Sequence, residues 1–199
     1  MWPRSVFLLT SVLALTLTGC ATPDTGAGSA TSADAPPSSP TSPSSDSAAI
    51  AMSGSTDPEA QTQARAWLDA AQLPPGAVPA DASVATFSSY TGWPCGPVAE
   101  LEQFWSLPGA TVSGTANWIR ENPTGDLLST SVGPISDDPA IQSATVGYIP
   151  AEGAQEGVVY TVEKTQEGVA VRAEVAAQTA DASCPVLPDG GQYGAPGQG

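Results

Sequence analysis

Two pairs of neighbouring acids are the residues to test against hydrolytic chemistry. Glycoside hydrolysis uses two carboxyl groups about 5–10 Å apart. Glu100 and Glu102 lie two residues apart and would share one face of a strand. Asp137 and Asp138 are adjacent, so on a strand they would point to opposite faces. The chain holds 20 acids, and at that density such pairs arise by chance. Both pairs therefore read as solvated surface carboxylates. Asp137-Asp138-Pro139 also offers oxygens to Ca²⁺. A calcium loop takes about five or more oxygens at defined offsets, and Asp before Pro favours a turn anyway. No metal and no cofactor are expected. Among the aromatics, Trp67, Trp105 and Trp118 read as core. Tyr90 and Trp93, the latter set between Gly92 and Pro94, are the candidate ligand surface.

Much other chemistry is excluded by composition. The chain has 199 residues and no His. That removes the Ser-His-Asp triad, the Cys-His dyad and His-ligated zinc. No Gly-x-Ser-x-Gly, Ser-x-x-Lys, phosphate loop or dinucleotide fingerprint occurs. Lys and Arg number only 5, with a net charge of −15. So few bases cannot line a phosphate track, which excludes nucleic acid as a partner.

The N-terminus carries an address. Arg4 is its only charge, and a 13-residue stretch from Ser5 to Leu17 is mostly apolar. That length suits the h-region of a signal peptide and is too short to span a hydrocarbon core of ~30 Å. Leu17-Thr18-Gly19-Cys20 follows and resembles the lipobox of bacterial lipoproteins. The resemblance implies cleavage after Gly19, a thioether-linked diacylglycerol on Cys20, and a lipid-anchored protein on the extracytoplasmic face of the cell membrane. Two acyl chains or more anchor stably, whereas one does so only marginally. Cleavage also removes Arg4 and leaves 20 acids against four bases, or −16. Such a domain is repelled by anionic headgroups within about a Debye length of ~8 Å.

If Cys20 is lipidated, Cys95 and Cys184 remain as an even pair in an exported chain, where disulfides persist. A bridge between them is expected. A reactive thiol would need a cation or His beside it, and the sequence is poor in both.

Four regions follow: a signal peptide (1–19), lipidated Cys20 with a disordered tether (20–56), a domain (57–187) and a flexible tail (188–199). Ala21 to Thr56 has fifteen Ser or Thr, five Pro and no aromatic, too little apolar surface to offset the entropy of ordering. In the domain, Asp57-Pro58-Glu59 starts a helix whose stripe is Ala64, Trp67, Leu68 and Ala71. A second helix is expected over 111–121, with Val112, Thr115, Trp118 and Ile119 on one face. Strands are expected at 82–90, 98–105, 127–132, 141–149, 158–165 and 169–178. The last two alternate cleanly around Glu167-Gly168 and form a hairpin.

The expected fold is α+β: a four- to five-stranded antiparallel meander with two helices packed on one face. Leu73-Pro74-Pro75-Gly76-Ala77, Phe104-Trp105-Ser106-Leu107-Pro108-Gly109 and Asn117-Trp118-Ile119-Arg120-Glu121-Asn122-Pro123 resemble segments of uncharacterised secreted actinobacterial proteins. That resemblance implies an envelope location and no activity. The expected function is a non-catalytic binding or structural module that meets an envelope protein or wall glycan. The alternative is a wall-glycan hydrolase using a carboxylate pair.

Overall fold

The computed structural model describes residues 50–88 and 92–198. The expected signal peptide, Cys20, the expected tether through residue 49 and Tyr90 lie outside the described residues. In chain order the elements are β1 (Ala51–Gly54), α1 (Pro58–Asp69), β2 (Val78–Ala80), β3 (Gly96–Pro108), α2 (Val112–Glu121), β4 (Leu128–Ser129), β5 (Ser143–Ile149), β6 (Gly157–Lys164) and β7 (Gly168–Ser183). All strands join one antiparallel sheet in the order β1-β3-β7-β6-β5-β4, with β2 also on β3.

The α+β class with an antiparallel sheet is as expected, but the sheet has seven strands and not four or five. Thirteen-residue β3 takes two short strands end to end on its free edge: β1 against 99–102 and β2 against 104–106. Strands of two to four residues are too short for alternation to reveal them. Nor is the sheet one meander. Only β4 to β7 follow in sequence order, while β3 pairs along its length with β7, the last strand.

Both helices pack on the same sheet face. Asp57 caps α1 by accepting from the Glu59 and Ala60 N–H groups at 3.0 and 2.9 Å. Ala60, Ala64 and Leu68 are its buried stripe, and Trp67 lies half-buried beside them. In α2, Thr111 caps the Gly114 N–H at 3.1 Å, and Val112, Thr115, Ala116 and Ile119 are buried. A Cβ on Gly114 would crowd that capping hydroxyl, which accounts for a glycine inside a helix. Beneath the helices lie Leu101, Trp105 and Leu107 of β3, Val171 and Val175 of β7, and Val158 and Val162 of β6. Alternate residues of each strand supply this face. Tyr148 and Tyr160, both fully buried, meet edge to face with centroids 6.1 Å apart. The Tyr160 hydroxyl bonds Thr124 Oγ1 at 2.6 Å, and Tyr148 donates to the Ile119 carbonyl. Burial pushes both phenols up, Tyr148 to about 12 despite the opposing charge of Arg120.

Several boundaries differ from the sequence reading. The strand expected at 82–90 is instead a 3₁₀ turn over Ala82–Val84, followed by irregular chain. Asp81 accepts from the Ser83 N–H at 2.8 Å, and this local bond competes with strand pairing. The strand at 127–132 contracts to Leu128–Ser129. The sheet also reaches back into the expected tether, because β1 finds a partner in β3.

The expected flexible tail is docked. Thr130 Oγ1 donates to the Pro196 carbonyl at 2.8 Å, Thr145 Oγ1 to the Gly197 carbonyl at 3.1 Å, and Gln198 Nε2 to the Thr130 carbonyl at 2.8 Å. Pro196 is buried. This requires glycine at 147 on β5, since a Cβ there would run into the Pro196 carbonyl and the Thr130 hydroxyl. Gly147→Ala should therefore unseat the tail at a cost of about 1–3 kcal/mol, the value of the hydrogen bonds lost. Carboxypeptidase should then trim past residue 193 in the variant and stall in the parent. Equal trimming would mean that the tail is not held at Gly147.

Candidate functional site

The sheet face turned away from the helices holds most of the buried charge. Strand register sets its rows. Thr145, Thr161, Arg172 and Phe104 lie side by side across β5, β6, β7 and β3, and the next row contains Val159, Glu174 and Glu102. Glu100 lies two residues from Glu102 on the same face, as their spacing predicts. Both are half-buried and not the solvated carboxylates expected, because neighbouring strands flank them. Ser53 Oγ of β1 donates to Glu100 at 3.3 Å.

Arg172 and Glu174 form an ion pair at 2.7 Å and are 7% and 5% exposed. The chain before the undescribed residues packs on Arg172. Phe87 lies 5.1 Å under the Arg172 guanidinium and 5.7 Å from Phe104. Ser88 pins this segment down by donating from its N–H and Oγ to Glu163 at 3.2 and 3.0 Å. Burial pushes the Glu174 carboxyl up to about 7. Arg172 opposes that shift, while Glu102 and Glu100 add to it. The sequence reading passed over Arg172, Glu174, Glu163 and Phe87 as site residues.

Trp93 is half-buried and borders a shallow hollow with Pro94, Pro97, Val98 and Glu100. Its neighbours Gly92 and Pro94 also line a cavity of about 460 Å³, closed on the other side by the docked tail from Tyr193 to Gln198. Thr145 and Gln155 complete it. Gln155 Nε2 donates to the Gly194 carbonyl at 3.3 Å, which ties the tail to the loop before β6. The lining presents rings, amides and backbone carbonyls, with Tyr193 its one titratable side chain among the described residues. This volume suits one small polar ligand or a short stretch of a polymer.

Cys95 and Cys184 form a disulfide, as expected. It ties the residue before β3 to the residue after β7, where Gly96 faces Ser183. Asp137 and Asp138 serve the loop between β4 and β5. Asp137 accepts from Ser113 Oγ at 3.1 Å, and Asp138 accepts from the Ala140 N–H at 2.8 Å. Among the described residues, no three His, Cys, Asp or Glu side chains are grouped to hold a metal ion. No helix among them is long and apolar enough to cross a membrane. Comparison with protein-family models, with curated proteins and with solved structures found no match.

Proposed function

We propose that this chain is a cell-envelope lipoprotein, anchored through Cys20 at the outer face of the cytoplasmic membrane. Its domain acts there as a non-catalytic binding module. The anchor reading is supported by Leu17-Thr18-Gly19-Cys20 and by a disulfide of the kind exported chains keep. The binding reading is carried by one observation. The cavity beside Trp93 is lined by neutral groups, whereas of the neighbouring carboxylates Glu174 is 5% exposed and Glu100 and Glu102 are half-buried. Rings and amides suit the hydroxyls and ring faces of wall glycan, with an envelope protein as the other partner class.

The hydrolase alternative draws on the Glu102–Glu174 juxtaposition, where one carboxyl is raised towards neutrality beside another. A general acid must touch the glycosidic oxygen, and Glu174 is 5% exposed and paired to Arg172. Geometry therefore favours binding.

Cys20→Ala should move the protein from the membrane to the soluble fraction. Retention in the membrane would overturn the anchor. The released form should co-sediment with purified wall glycan without liberating soluble sugar, and Trp93→Ala should weaken that several-fold. Sugar release that disappears in Glu174→Gln would replace the binding module with the hydrolase.

A further inference from the structure

A second cleft lies on the helix side of the sheet. β4 covers only the far end of β5, pairing with Tyr148 and Ile149. Further back along β5, β6 pairs residues 143–146 on one side, and among the described residues no strand pairs them on the β4 side. There a cleft of about 690 Å³ opens between α2 and the loop that joins β4 to β5. Its apolar lining comes from Ala116 of α2, Ile135 and Ile141 of the loop, and Ala144 and Val146 of β5. Val132, 97% exposed, also borders it.

One cation lines this cleft. The Arg120 side chain is 26% exposed, and its Nη2 lies 3.1 Å from Glu121 Oε1, on a side chain that is mostly in solvent. Its Nε is buried and has no hydrogen-bond partner among the described residues. The exposed part of the guanidinium faces the cleft, and an anionic ligand oxygen accepts from it more strongly than a neutral one does. The loop acids do not satisfy it, since Asp137 bonds Ser113 and Asp138 bonds the Ala140 N–H.

We infer that this cleft binds an anionic amphiphile: one aliphatic chain against Ile135, Ile141 and Ala144, and a carboxylate or phosphate head on Arg120. The inference deepens the binding-module reading and rests on it, but the residues it uses, Arg120 and the Ile135–Ile141 wall, lie outside the cavity beside Trp93, which the cleft adjoins at Thr145, Gly197 and Gln198. An apolar wall with one placed cation is how a protein selects an amphiphile by both ends. Burial of the ligand's aliphatic chain supplies affinity that grows with its length, and the head supplies orientation.

The test is calorimetric titration of the Cys20→Ala domain with decanoate, decyl phosphate and decanol. Decanoate or decyl phosphate should bind at least about tenfold more tightly than decanol, as expected for one charge-assisted hydrogen bond. The tighter of the two anions identifies a free-acid or a phospholipid type of head. Arg120→Gln should remove the preference and leave decanol binding unchanged, and Arg120→Lys should restore part of it. Both variants change a partly exposed side chain, so circular dichroism should match the parent. Equal binding of decanol and the anions, or no binding of any of them, would overturn the inference. Either result would leave glycan co-sedimentation through Trp93 standing, so the two readings fail separately.

Discussion

Reducing the Cys95–Cys184 disulfide should lower the unfolding free energy by about 4–5 kcal/mol. The two cysteines are 89 residues apart, and closing a loop of that length removes a large share of the unfolded chain's freedom. In the folded state the bridge does little that β3 and β7 do not already do, since the ladder pairs them from Gly96 and Ser183 to Pro108 and Gly168. The effect should therefore act on the unfolded ensemble and leave the native fold intact. Cys184 is exposed, so reductant reaches the bridge without unfolding. Urea unfolding with and without dithiothreitol measures the difference. The midpoint should fall by more than about 1 M, given a slope of roughly 1–3 kcal/mol/M. The slope should steepen, because the reduced unfolded chain exposes more surface. A loss below about 1 kcal/mol would show that the unfolded chain already keeps β3 near β7.

Local signals carried the elements that were legible in the sequence. Asp57-Pro58-Glu59 specified the start of α1, and alternating valines around Glu167-Gly168 specified the β6–β7 hairpin. The pairing of β3 with β7 is non-local, and no periodicity encodes it. The cysteines did contain that information. One directly precedes β3 and the other directly follows β7, so a bridge between them makes the two strands antiparallel neighbours. Strands β1, β2 and β4 were out of reach for a different reason. A strand of two to four residues exists because an edge is there to receive it, and that edge is a property of the assembled sheet.

The candidate site was legible to a similar depth. Glycine and proline around Trp93 marked a rigid, half-open position, and a spacing of two placed Glu100 and Glu102 on one face. Arg172 and Glu174 looked like the outward polar half of β7. The missed signal lies among their neighbours. Val159, Ala170 and Ala176 occupy the same outward face and are buried, and a sheet with one solvated face carries few such residues there. They show that this face has a cover. Its components, Phe87 and the tail residues Gly197 and Gln198, lie in segments with no regular pattern.

Burial makes the Arg172–Glu174 pair sensitive to pH close to neutrality. The Glu174 carboxyl titrates at about 7 in the folded chain against 4.5 ordinarily. Between those values the native state keeps a proton that the unfolded state has lost. The stability Glu174 contributes is thus fully present below pH 4.5 and is lost as pH rises through about 7. The expected loss is roughly 3 kcal/mol, from 1.36 kcal/mol per pH unit. Lowered carboxyls such as Asp81 give the opposite slope at lower pH, so the comparison that isolates Glu174 is the parent against Glu174→Gln. The variant should lose the decline between pH 5 and 8. Arg172→Met removes the cation paired to Glu174 and leaves its charge buried near Glu102 and Glu100. That should cost about 3–5 kcal/mol above neutral pH and shift the decline to higher pH. Replacing both, as Arg172→Met with Glu174→Leu, should recover most of the loss, because no uncompensated charge remains. If the parent and Glu174→Gln instead follow the same profile from pH 5 to 8, Glu174 is ionised and solvated in the folded chain. The outer face of the sheet would then be open, and the carboxylates on it would be accessible to a substrate.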